Sequence, residues 1–161
     1  MNALVISTGS NLGNRQKNLD SASRLIGERI GTIRQSSAVY ESRAWGYHSE
    51  NLFYNQCLDI QTDLGPEQCM EKILEIERLL GRESRESGYS DRTMDIDILF
   101  FNDAILDNFN LKIPHPRMHE RKFVLLPLAE ILPEYEHPVF HRSVAELLEK
   151  CSDQMEVTPI W

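Results

Sequence analysis

Met94-Asp95-Ile96-Asp97-Ile98-Leu99-Phe100-Phe101 sets two acids in an otherwise apolar run without Gly or Pro. It reads as a buried strand. Alternate residues of a strand share a face, so Asp95 and Asp97 point the same way near its start. Two ionised carboxylates side by side repel and are costly to desolvate. A cation relieves both, and hard oxygen donors at this spacing suit Mg²⁺, above all Mg²⁺ carried on nucleotide phosphates. On spacing alone, a solvated acidic strand end is the simpler reading. Arg92 just ahead, and His115, Arg117, His119, Arg121 and Lys122 behind, turn the balance toward a metal–phosphate site.

Upstream, residues 4–8 read as a first strand, 9–14 as a turn-rich connection and 14–30 as a helix. Leu19, Ala22, Ile26 and Ile30 recur there at helical spacing. Residues 33–41 and 52–62 predict a second and third strand, separated by a loop bearing Trp45 and Tyr47. Gly65-Pro66 opens a second helix that runs to Leu80-Gly81. Glu77 falls on or beside its apolar face and reads as a boundary residue. Residues 82–93 form a polar loop with three arginines, either a connector or a cover for a phosphate ligand.

Downstream, 102–114 predict a short hairpin turning at Asp107-Asn108, and 115–121 a basic bend. A helix is expected over 123–132 despite Pro127. Ser143-Val144-Ala145-Glu146 is a capping box for a last helix, and 155–161 an edge strand because Pro159 lacks a donor. The order strand, helix, strand, strand, helix, strand is the split βαβ arrangement. The expected fold is a ferredoxin-like βαββαβ α+β sandwich with additional C-terminal helices and an edge strand. Its helices are expected to cover one face of an antiparallel sheet.

With 161 residues the chain is expected to form one domain, 1–161. A formal net charge of −8 argues against a nucleic-acid or anionic-membrane partner but leaves room for a locally positive pocket. No run of about 18 apolar residues is present, and the start lacks the pattern of a signal peptide. The cytoplasm is the expected compartment, and a monomer the expected state. Cys57, Cys69 and Cys151 have no metal-ligand spacing and are expected to be reduced, small hydrophobes.

Neither usual glycine-rich phosphate loop occurs, so arginines, histidines and metal must hold any phosphates. The run Gly88-Tyr89-Ser90-Asp91-Arg92-Thr93-Met94-Asp95-Ile96-Asp97-Ile98-Leu99 resembles the signature of the 6-hydroxymethyl-7,8-dihydropterin pyrophosphokinase family. Further matches lie at 7–12, Tyr54-Asn55, Glu77 with Gly81-Arg82, 113–118, Arg121 and 123–128. They follow in order and in register over residues 4 to about 133.

The resemblance implies a ferredoxin-like sandwich that transfers the terminal diphosphate of ATP to the hydroxymethyl group of the dihydropterin. AMP and the pterin diphosphate are the products, in folate biosynthesis. It implies two Mg²⁺ ions on Asp95 and Asp97, and a catalytic set of Arg82, Arg92, Asp95 and Asp97. The ATP set is Glu77, Arg82, Arg85, Tyr89, Arg92, Ile98, His115 and Arg121. The pterin set is Ser42, Arg43, Trp45, Phe53, Asn55, Asp95 and Phe123. His119 is expected to be a surface or capping residue.

The chain departs from the family pattern in several places. Ser84 stands where some relatives carry arginine, with Arg85 adjacent, and Tyr89 replaces a common tryptophan. Asn110 and Pro116 replace a frequent arginine and tyrosine, and Arg43 a frequent proline. These changes bear on ATP affinity more than on reaction class. Two competing readings share the same sandwich. One is another Mg²⁺-dependent phosphotransferase or a nuclease; the other is an RNA-binding module using Phe53 and Tyr54 as a stacking platform.

Overall fold

A computed structural model describes residues 1–81 and 90–160. In chain order its elements are β1 (Asn2–Ser10), α1 (Arg15–Arg29), β2 (Gly31–Ser36), β3 (Tyr40–Ser42), β4 (Phe53–Thr62), α2 (Pro66–Leu79), β5 (Asp95–Phe101), β6 (Leu106–Asp107), β7 (Lys112–Ile113), α3 (Lys122–Ile131), α4 (Val144–Lys150) and β8 (Val157–Pro159). The main sheet has the order β5-β1-β4-β3-β8, and β2 also pairs with β4. Every pairing is antiparallel. Strand order β5-β1-β4-β2, with α1 and α2 as crossovers, is the ferredoxin-like α+β arrangement.

Apolar patterning explains the layering. Leu4, Ile6, Leu58, Ile60, Ile96 and Ile98 pack against Leu19, Ala22 and Ile26 of α1 and Cys69, Ile73 and Ile76 of α2. The intervening residues Val5, Cys57, Leu99 and Phe100 bury a second core against Val124, Leu125 and Leu128 of α3 and Val144 and Leu147 of α4. Helices therefore cover both faces, not one. The reason lies in β1 and β5, whose nearly continuous apolar runs expose two hydrophobic faces that both need cover.

The expected second strand, 33–41, is broken into β2 and β3. Ser37 causes the interruption: its hydroxyl accepts the Cys57 N–H at 3.0 Å, where a ladder carbonyl would stand. Its carbonyl takes the Gln56 side chain instead, at 2.8 Å. A hydroxyl that competes with the ladder bends the chain off its neighbour. The hairpin β6–β7 turns at Asn108, whose side chain accepts the N–H of Asn110 (3.1 Å) and Leu111 (2.9 Å).

The C-terminal helices form where expected, while the edge strand expected over 155–161 is confined to Val157–Pro159. Ser143 and Glu146 exchange the two bonds of a capping box at 3.2 and 3.1 Å. Pro159 lies in β8, the outermost strand, paired with Tyr40 of β3. Pro127 sits inside α3 and is buried on the second core.

Between α3 and α4, His137 is 2% exposed, stacked on Phe140 at 4.3 Å and edge-on to Phe100 at 5.7 Å. Its Nδ1 accepts the N–H groups of Val139 (3.2 Å) and Phe140 (3.1 Å). Burial, with His119 and His141 nearby, pushes its pKa down to about 4. Protonating Nδ1 would set three donors against each other. The unfolded chain takes the proton first on acidification, so stability is full above pH about 6.5 and falls toward pH 4. We expect a loss on the order of 2–3 kcal/mol across that window. Urea unfolding at pH 7 and 4.5 measures it, with His137→Asn as control because its carbonyl can accept the same two bonds. Equal acid sensitivity in both proteins would sink the assignment.

Candidate active site

The strand register builds the site. Asp97 of β5 lies opposite Ser7 of β1, which lies opposite Cys57 of β4. Asp95 lies opposite Gly9, Gly9 opposite Asn55, and Asn55 opposite Tyr40 of β3. Residues directly opposite in an antiparallel sheet share a face. Asp95, Asp97 and Asn55 therefore stand together on the α3 side, at the end where β5 begins.

Both acids are half-buried. Among the described residues no group of three or more His, Cys, Asp or Glu side chains is clustered to hold a metal ion. Of the described residues, Asp95 and Asp97 offer an ion at this strand end two carboxylates, all oxygen. That set suits Mg²⁺, which keeps several waters and completes its shell with phosphate oxygens. A cationic group already stands at the pair: Arg92 Nη1 lies 3.3 Å from Asp95 Oδ2. Arg92 is held along its backbone as well. Its N–H donates to Asn11 Oδ1 at 2.8 Å, and its carbonyl accepts the Asn11 N–H at 3.0 Å.

Beside the acids, Asn55 is buried, and its Nδ2 donates to Ser42 Oγ at 2.8 Å. The Ser42 hydroxyl in turn donates a hydrogen bond to the Arg43 carbonyl at 3.2 Å. This relay fixes the orientation of the Asn55 amide. Gly9 makes room for it, since a Cβ there would meet Asn55 Oδ1 at 3.2 Å. The opposite wall comes from the start of α3. Arg121 lies over the Trp45 ring at 4.6 Å and 5.8 Å from the Phe123 ring. Arg117 flanks Trp45 at 5.9 Å. Phe53 shares the face of Asn55, two residues away, whereas Tyr54 turns to the other face and carries Arg15 at 3.8 Å. The two aromatics do not form one stacking platform.

A bulge positions the histidine. Between Val5 and Ile6 the register slips, leaving Leu99 without a Cα partner. The Leu99 carbonyl accepts the His115 N–H at 3.1 Å. His115 Nδ1 accepts the Arg117 N–H at 3.1 Å, which places the proton of the neutral ring on Nε2 as a donor.

Other expected residues stand differently. Ile98 points into the α1/α2 core, so a nucleotide can meet only its backbone. Glu77 is not a boundary residue. It is 1% exposed, and its Oε2 accepts the Ile96 N–H at 2.8 Å. The reason is that β5 is an edge strand with outward N–H groups that need an acceptor. It lies across the sheet from Asp95 and Asp97. Arg43 is exposed. His119 packs edge-on against Phe140 at 4.8 Å, with Nδ1 buried. Arg82, Arg85 and Tyr89, with Ser84, lie outside the described residues.

A polar knot was not foreseen. Asp91 accepts Asn11 Nδ2 (2.8 Å) and Tyr47 Oη (2.9 Å) on one oxygen and Asn51 Nδ2 (2.8 Å) on the other. A hydrogen bond from Ser49 foremost, with those from Asn11, Tyr47 and Asn51, holds its pKa below the usual carboxylate range. Its donors lie 40 to 80 residues from Asp91 along the chain, so spacing carried no signal for it.

A family model for 7,8-dihydro-6-hydroxymethylpterin-pyrophosphokinase (HPPK) matches residues 5–133. The chain is 40% identical over 136 residues to the 2-amino-4-hydroxy-6-hydroxymethyldihydropteridine pyrophosphokinase of Bacillus subtilis, covering 84% of this chain and 81% of that one. It is 35% identical over 146 residues to the same-named protein of Aquifex aeolicus, covering 91% and 90%. In fold it is similar to a Plasmodium falciparum HPPK-DHPS solved with pteroate, with TM-score 0.79 and 19% identity. That match covers 92% of this chain but only 44% of the longer solved one. No helix among the described residues is long and apolar enough to cross a membrane. With Asp95 and Asp97 of the signature on one sheet face, and relatives matched over most of their length, the chain belongs to the 7,8-dihydro-6-hydroxymethylpterin-pyrophosphokinase family, enzymes of Mg²⁺- and ATP-dependent pyrophosphoryl transfer to a dihydropterin in folate biosynthesis.

Proposed function

We propose that this chain transfers the β,γ-diphosphate of ATP to the hydroxymethyl oxygen of 6-hydroxymethyl-7,8-dihydropterin, releasing AMP. The observation that carries the site assignment is the shared face of Asp95, Asp97 and Asn55, with Arg92 lying against the first acid. Two Mg²⁺ ions, when bound to Asp95 and Asp97, would neutralise the phosphates and lower the pKa of the substrate hydroxyl.

The chain's own groups do the rest. Arg92 now compensates Asp95 at 3.3 Å; with an ion held by that carboxylate, its guanidinium would be available to phosphate oxygens and the acid would still face a cation. His115 Nε2–H and Arg121 donate to the polyphosphate and stabilise charge moving onto the leaving AMP. Arg82, Arg85 and Tyr89 extend this nucleotide set, while Glu77 supports it from across the sheet by holding the β5 edge. Asn55, oriented by Ser42, offers donor and acceptor to the edge of the pterin. Phe53 and Phe123 supply its aromatic walls and Trp45 its outer rim. Fixed placement of both reactants supplies much of the rate, since attack and departure at the β-phosphorus must lie in line. Every described side chain invoked comes from one copy, so a monomer suffices, and the cytoplasm is its expected compartment.

Incubation with MgATP and the reduced hydroxymethylpterin tests the reading. AMP and pterin diphosphate are expected in equal amounts, and neither after chelation of the metal. ADP as the nucleotide product would reject diphosphate transfer.

A further inference from the structure

The loop between β3 and β4 carries Trp45. Asp91 ties it to the lead-in of the acidic strand from 40 residues away along the chain. One carboxylate oxygen receives Asn11 Nδ2 (2.8 Å) and Tyr47 Oη (2.9 Å), and the other receives Asn51 Nδ2 (2.8 Å). Asn11 closes the circuit. The same side chain that donates to Asp91 also donates to the Asn51 carbonyl at 3.2 Å and accepts the Arg92 N–H at 2.8 Å. Three segments thus meet at one carboxylate: the loop after β1, the Trp45 loop, and the strand lead-in bearing Arg92. The far end of the Trp45 loop is fastened separately, by Arg15 to the Leu52 carbonyl at 3.0 Å. Asp91 accordingly governs the middle of the loop, where Trp45 leans on Arg121 at 4.6 Å.

We propose that Asp91 is a positioning residue that clasps the Trp45 loop over the acceptor-substrate side of the site and keeps it in register with Arg92. The inference rests on the pterin reading of the Trp45 side. Hydrogen bonds to a charged acceptor are the stronger kind, and four donors on one carboxylate resist opening. An amide in place of the Asp91 carboxylate would fail at one identifiable contact. Its oxygen could still accept from Asn11 and Tyr47, but its NH₂ would face the NH₂ of Asn51.

That asymmetry defines the test. Asp91→Asn is expected to raise the KM for the hydroxymethylpterin about tenfold, with kcat within about twofold and the KM for ATP little changed. The double variant Asp91→Asn/Asn51→Asp restores a donor facing a carboxylate and is expected to recover most of the lost KM. Hydrogen exchange followed by mass spectrometry should show faster exchange across residues 44–52 in the single variant and near-native exchange in the double. An unchanged pterin KM, or equal impairment of both variants, would overturn the proposal. So would unaltered exchange in the loop. Absence of turnover in the unmodified enzyme would instead overturn the assigned reaction, and the exchange data alone would then judge the clasp.

Discussion

Asp97→Ala is expected to lower kcat/KM for diphosphate transfer by about three orders of magnitude while the protein stays folded. Asp97 is half-buried on a strand whose neighbours Ile96 and Ile98 carry the packing, so truncation opens no hole in either core. What it removes is one of two carboxylates available to a divalent ion. A loss of about 4 kcal/mol of transition-state stabilisation corresponds to that factor. Raising Mg²⁺ should recover only part of the rate, because the lost donor also sets where the ion sits. Thermal unfolding should move by no more than a few degrees. A variant that keeps more than about a tenth of wild-type kcat/KM would move the metal role to other residues.

Phe100→Ala should have the largest effect on stability, with a loss of about 3–5 kcal/mol. The ring is fully buried and stacks on Tyr135 at 4.5 Å and 14°. It meets His137 edge-on at 5.7 Å. Deletion leaves a cavity that Tyr135 cannot refill, since its hydroxyl is committed to the Asn102 carbonyl. Two aromatic contacts are lost beyond the transfer term. Phe100→Leu keeps most of the volume and should cost about 1–2 kcal/mol. Urea unfolding of the wild type and both variants measures the two losses. A deficit below about 1.5 kcal/mol for the alanine variant would mean that the second core collapses onto the vacancy and is looser than its geometry indicates.

The two residues show what could be read without coordinates. The side on which Asp97 stands follows from strand parity, a local property. That Phe100 shares the α3 face with Leu99 does not, because parity breaks at the bulge where Leu99 loses its partner. The same slip sends the Leu99 carbonyl to His115, so the placement of the basic bend depends on a register that no local pattern records. Pro159 signalled an edge strand through its missing donor, but that β8 adds to β3 was decided by pairing. Glu77 read as a boundary side chain because helical periodicity cannot show that an edge strand will need its carboxylate.

From sequence alone, helix order, strand order apart from the break of the second strand at Ser37, the capping box, the paired acids and the resemblance of the signature to one enzyme family were all determined. Each rests on interactions within a few residues or on a motif read in order. Only the tertiary structure decided that both sheet faces are covered, that Asn55 and the acids share one of them, and that Asp91 gathers three loops. Those facts depend on contacts between segments tens of residues apart, where the chain's local preferences are silent and packing and hydrogen-bond satisfaction choose among alternatives.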